Sequence, residues 1–193
     1  MNFIFRNYIL LVQLKEETKL FHSSVEKVLI AELKEIATKN AYGNLLLKLH
    51  NFYESIESKL QLEITEAIIP DIKSRNHVKH LKNDLYAIGH EIKDIENNFA
   101  SKITNLSYAL GVLYVIEGST LGGKIITNLL KRQLNLTDLS EISYFNSYGE
   151  ATDEMWHDFK QHITTSEEFI DKNEMILGAK DTFEALRIWL LQN

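Results

Sequence analysis

The stretch GVLYVIEGSTLGGKII, residues 111–126, decides how this chain is read. It sits inside a longer segment, about Leu106 to Leu134, that is apolar on most sides and holds Gly111, Gly118, Gly122 and Gly123. Each glycine costs a helix roughly 1 kcal/mol relative to alanine. Gly118, Gly122 and Gly123, with Ser119 and Thr120 among them, are therefore expensive inside an apolar helix. Four explanations stand: the helix bends, it breaks into two helices, another element packs closely on it, or its backbone must touch something flat. A phosphate loop is excluded, because no Gly-Lys-Ser/Thr ending, preceding strand or dinucleotide spacing is present.

Outward from this stretch the pattern is helical throughout. Proline occurs once and glycine eight times in 193 residues. Apolar stripes of period 3.6 are common and period-2 alternation is scarce, so the fold class is all-α. A first helix is predicted from about Leu10 to Leu29, with Leu11, Leu14, Thr18, Phe21, His22, Val25 and Leu29 on its stripe. A second runs from about Asn44 to Leu62, with Leu46, Leu49, Tyr53, Ile56 and Leu60 inward. Pro70 ends a short piece, a helix follows from about Val78 to Ala87, and residues 91–99 form a short helix or turn. After the glycine-rich segment, residues 135–149 read as a loop. Thr152 reads as an N-cap, with Asp153 and Glu154 in the first turn of a helix to about Thr164. A last helix spans about Ile170 to Leu191.

Composition narrows the function. Residues 1–193 are expected to form one domain, with residues 1–9 a loosely attached N-terminal extension. A net charge of −6 and no long Lys/Arg run argue against a nucleic-acid binder. The absence of cysteine removes disulfides, thiolate zinc, iron–sulfur clusters, cysteine nucleophiles and a thiolate haem ligand. The apolar start, Phe3 to Leu14, is broken by Arg6, Asn7 and Gln13. It is too short to span a membrane and no small-residue cleavage site follows, so the expectation is a cytoplasmic protein with no membrane partner.

His22, in LKEETKLFHSSVEK, lies on the first helix's apolar stripe with Glu26 four residues on. One ring nitrogen can turn inward while Glu26 fixes the tautomer through the other, which is how a neutral axial metal ligand is held. A core histidine satisfied by one hydrogen bond is the plainer account of the same placement.

Together these residues resemble the haem oxygenase family, specifically its bacterial, phytochrome-associated branch. LKEETKLFHSSVE resembles the family's proximal-histidine helix and EGSTLGGKII its glycine-rich distal helix. HLKNDLYAIG (80–89), SYGEATDEMWHDF (147–159) and AKDTFEALRIWL (179–190) follow in family order, so the resemblance covers nearly the whole chain. It implies a single all-helical bundle with haem sandwiched between a proximal and a distal helix. Haem would be both cofactor and substrate, opened with O2 and external electrons to biliverdin, CO and ferrous iron.

Carried over by position, the resemblance makes His22 the proximal iron ligand and Glu26 its neighbour. Gly118, Ser119, Gly122 and Gly123 belong to the distal face. Lys15 matches a position that meets a haem propionate, Lys180 supplies a second basic group, and Arg187 is a further candidate. A neutral imidazole suits oxidation of the porphyrin rim, because it does not drive O–O cleavage as a thiolate does. Glycines leave a low ceiling over the ring, and the Ser119 and Thr120 hydroxyls can hold proton-delivering waters. Many family members carry an aspartate where this chain has Ser119, which leaves the proton-delivery group open. The resemblance also implies a ferredoxin- or flavin-type electron donor and a phytochrome as acceptor of biliverdin. A non-catalytic haem carrier or sensor on the same fold is the alternative.

Lys73, Arg75, Lys79 and Lys82 form a basic stretch in an acidic chain, which suggests a docking surface for the acidic donor or else a solvated helix face. His77-x-x-His80 resembles half of a metal site, and Glu154-x-x-His157 half of a helical di-iron pattern. Neither has the further ligands such a site needs.

Overall fold

A computed structural model describes residues 9–136 and 139–192. Seven α-helices are present among the described residues: α1 Ile9–Glu35, α2 Lys39–Glu63, α3 His77–Ala87, α4 Leu106–Ser119, α5 Gly123–Leu134, α6 Thr152–Thr165 and α7 Lys172–Gln192. No strand occurs among them, as the sequence pattern predicts. The expected N-terminal extension falls almost wholly outside the described residues.

The helix limits follow local chemistry. α1 runs a turn and a half beyond the predicted end because no breaker interrupts VLIAELKE. Thr38 then caps α2, accepting from the Ala41 N–H at 3.1 Å. Asn76 caps α3 and Asn105 caps α4 in the same way, each oxygen taking an N–H three residues on. The N-cap expected at Thr152 is not formed. A 3₁₀ turn, Gly149–Ala151, leads straight into α6, so Thr152 already has helical backbone and its hydroxyl donates back to Gly149 O. Residues 91–97 carry no helix, and a 3₁₀ turn follows at Asn98–Lys102.

α7 packs against α4 on one side and α1 on the other, while α2 packs on α3. The predicted inward stripe of α2, Leu46, Leu49, Tyr53, Ile56 and Leu60, is buried in full. Two glycines set the approach of α4 to α7. A Cβ built on Gly111 would lie 2.0 Å from Met175 O, and one on Gly178 2.3 Å from Tyr108 O. The two backbones therefore touch where either side chain would separate them. Leu106–Leu134 is long and apolar enough to cross a membrane by length and composition. Half of its most apolar window is buried in the fold, so much of that apolarity is core packing.

Gly111→Ala should therefore push α4 off α7. The expected loss is about 1–3 kcal/mol of unfolding free energy, the usual cost of overpacking. Urea denaturation followed by far-UV circular dichroism measures it, and an unchanged midpoint would contradict the backbone contact.

Candidate functional site

The glycine-rich segment bends. α4 ends at Ser119, a 3₁₀ turn covers Thr120–Gly122, and α5 starts at Gly123. Its three glycines have different surroundings. At Gly118 an added Cβ would meet only the Trp156 ring, at 3.8 Å, and at Gly122 only Ile126 Cδ1, at 4.0 Å. Both are ordinary contacts, so neither glycine is required by packing. Gly123 is different: its Cβ would sit 2.0 Å from Phe145 O. Gly123 is where the loop after α5 closes on the helix. Ile125 and Leu129, one and two turns on from Gly122, are uncovered, Ile125 to 75 %.

His22 stands on α1 with 53 % of its side chain exposed, which removes the account of it as a satisfied core histidine. Nδ1 is 3.6 Å from Glu26 Oε2, and the ring meets Phe183 of α7 edge-on at 5.5 Å. Among the described residues Nε2 has no hydrogen-bond partner. One turn earlier, buried Thr18 donates to Leu14 O at 2.7 Å, and its side chain lies beside Tyr114 of α4. Tyr114 lies one turn before Gly118, and its ring packs on Trp156 at 5.5 Å. Burial pushes its phenol up, an effect the neighbouring Thr18 side chain opposes. The Thr18–Tyr114 contact thus joins the histidine helix to the glycine bend. Neither Tyr114 nor Trp156 is marked in the sequence by anything beyond aromatic character.

The predicted basic groups are only partly assembled. Lys180 reaches α1, pairing with Glu17 Oε2 at 2.6 Å and lying 6.0 Å from the Phe21 ring centre, beside the His22 turn. Lys15 is exposed on α1. Arg187 is held within its own helix by two bonds to Glu184, at 2.8 and 2.7 Å. Ser119 and Thr120 commit their hydroxyl protons to the carbonyls of Ile116 and Glu117, at 2.6 and 2.7 Å. Toward a bound water they are left as acceptors.

Beneath the bend lies a buried polar cluster that the sequence reading did not find. Glu117 points into the core, where its carboxylate accepts from Arg75, from Tyr148 at 3.0 Å and from His77 Nε2 at 3.0 Å. Arg75 also binds Asp71 at 2.9 Å and donates to Met155 O at 3.3 Å. Burial and then the Glu117 charge hold the Tyr148 phenol well up. Glu57 accepts from the His77 and Val78 N–H groups at the start of α3, and burial raises its carboxyl. Asp84, raised chiefly by burial, accepts from Ser143 and from the Tyr144 N–H, pinning the loop whose Phe145 carbonyl meets Gly123.

The cluster takes up two residues singled out in the sequence. His77 bonds Glu117 through Nε2. Arg75 is buried, Lys73 pairs with Glu66 and Lys82 with Glu54, so only Lys79 of the basic stretch has no ion-pair partner among the described residues. Most of the stretch's charge is thus matched by carboxylates within the fold. A groove of about 770 Å³ opens between the end of α1 and the start of α2, lined by Ile30, Ile36 and Leu45, and includes none of the residues above.

A family profile described as heme oxygenase matches residues 9–192. Among solved structures, heme oxygenase-1 of the cyanobacterium Synechocystis in complex with heme aligns with a TM-score of 0.75 and 21% identity, over 95% of this chain and 91% of that one. Heme oxygenase 2 of Chlamydomonas reinhardtii, without heme, gives 0.78 and 14% over 95% and 96%. The heme oxygenase of Leptospira interrogans gives 0.78 and 19% over 95% and 99%. Comparison with curated proteins gives no match.

The surroundings of the glycines predict a contrast. Gly118→Ala should leave stability unchanged or raise it by roughly 0.4–1 kcal/mol, since the Cβ has room in a helix. Gly123→Ala should destabilise by about 1–3 kcal/mol against the Phe145 carbonyl. Thermal melting of both variants without ligand tests this, and equal losses would refute the division.

Proposed function

The chain belongs to the haem oxygenase family, and on that premise we propose that it opens haem to biliverdin, CO and ferrous iron, using O2 and external electrons. The observation that carries this reading is His22, half exposed with Nε2 unpartnered, one turn past the contact that ties α1 to the glycine bend. The residues present fit the group. A ring nitrogen is available, Gly118 and Gly122 leave space that packing does not claim, and Ile125 lies uncovered along the same face.

Bound haem would supply both the iron that handles O2 and the porphyrin rim that is oxidised. His22 Nε2 is the residue atom that would hold the iron, and the Glu26 carboxylate favours the Nδ1–H tautomer that leaves Nε2 its lone pair. Gly118 and Gly122 keep side chains out of the space over the ring. Tyr114 and Trp156 wall that space on the α4 and α6 side and exclude water. Lys180 and Lys15 are the cations offered to the propionates. Arg187, held by Glu184, is the least available of the three.

The cluster under the bend keeps Glu117 inside, so it does not face the reaction. A water placed near Ser119 and Thr120 would donate to their oxygens and hold its second proton toward the ring. Electrons come from a separate ferredoxin- or flavin-type protein in the cytoplasm, and a phytochrome is the proposed acceptor of biliverdin. A haem carrier on the same fold is the second reading, favoured by the commitment of both distal hydroxyl protons to backbone carbonyls. Hemin with ascorbate under air separates the two: biliverdin forms only on the first.

His22→Ala should remove or strongly shift the Soret band of the hemin complex and stop biliverdin formation. An unchanged spectrum with unchanged turnover would place the iron ligand elsewhere. Lys15→Glu should alter the mixture of biliverdin isomers, or weaken hemin binding more than Lys15→Ala does. An exposed pair is worth only about 0–1 kcal/mol, and reversing the charge adds repulsion. Chromatography of the products and hemin titration read the two effects.

A further inference from the structure

His50 of α2 is fully buried, yet its ring is only half satisfied. Nδ1 lies 3.3 Å from Asn51 Oδ1. The Asn51 amide nitrogen donates to Lys93 O at 2.9 Å, which fixes which end of the amide faces the ring. Oδ1 therefore accepts the Nδ1 proton, and Nε2 is left as a bare acceptor. Nε2 is buried and has no hydrogen-bond partner. It faces Glu54, whose Oε1 is 3.8 Å away. Asp94, exposed in the segment that Asn51 anchors, completes the group. One donor atom from each of His50, Glu54 and Asp94 lies within 4.8 Å of the others. Three acceptors thus converge. Lys82 is a neighbouring cation, which holds Glu54 Oε1 at 2.6 Å and among the described residues makes no bond to His50 or Asp94.

We propose that His50, Glu54 and Asp94 bind a divalent transition-metal cation of the zinc type. One imidazole and two carboxylates suit a borderline cation better than calcium or magnesium, and three protein ligands leave a position for water. Asn51 acts as the outer support, setting the histidine tautomer and tying down the segment that carries Asp94, as metal-bound histidines require. Lys82 is the competitor, since its ammonium occupies a Glu54 oxygen that the metal would share. The site uses none of the residues assigned to haem.

Zinc chloride titrated into the full-length chain, in competition with a chromogenic chelator, tests the proposal. A bound zinc ion is expected whose affinity falls ~10-fold or more in Asp94→Asn and in Glu54→Gln, both partly or fully exposed positions that leave the fold intact. Lys82→Ala should bind zinc more tightly, and calcium should not compete. Nitrogen NMR of His50 gives a second readout, in which Nε2 should shift on adding zinc. Two results would overturn the site: zinc affinity unchanged in both carboxylate variants, or an Nε2 that carries a proton at neutral pH and keeps it in excess zinc.

Discussion

The contact of α4 with α7, backbone on backbone, is the constraint from which the other placements follow. Gly111 and Gly178 let each helix's carbonyls enter the space where the other's side chains would stand. α7 then carries Phe183 and Lys180 to the His22 turn of α1, while α4 continues to Tyr114 and the bend. Separating the two helices by one side chain would move the histidine and the glycines apart, although neither lies at the contact.

The bend is held from below as well as permitted by glycine. Glu117, the residue before Gly118, is anchored by Arg75, His77 and Tyr148, and Gly123 is met by a loop that Asp84 pins to α3. Both ends of the break are thus fixed by groups on α3 and the turns beside it. A buried ion cluster of this kind adds little net stability compared with apolar packing, but removal of one member leaves a charge unpaired. Its role is to fix one geometry.

The sequence shows the helices well where periodicity is strong, as in α2, whose inward stripe is buried residue for residue. It shows that the glycine segment is unusual, because the cost of glycine is local, but leaves open whether the helix breaks, packs closely or meets a ligand. It does not show which way each glycine faces. Gly118 and Gly122 have room for a Cβ, whereas Gly123 is met by the Phe145 carbonyl. Arg75 reads as one of a solvated basic run because its partner, Glu117, is 42 residues away. A separation of 40 residues hides His77 in the same way. The expected cap at Thr152 fails because a preceding 3₁₀ turn had already set its backbone. The caps at Thr38, Asn76 and Asn105 obey the local rule that would have found them.

The Lys180–Glu17 pair has a consequence for how an anionic ligand enters. Lys180 is already neutralised across the gap between α7 and α1, so on the proposed reading an incoming carboxylate would meet no open charge there. It would arrive by exchange, displacing Glu17 into water, and the free energy gained would be the small difference between two similar ion pairs. Tightness would then come from the apolar face and the proposed histidine ligand, with the lysine left to choose among orientations. Glu17 thus works as a resident counter-ion that holds the lysine in place for its guest.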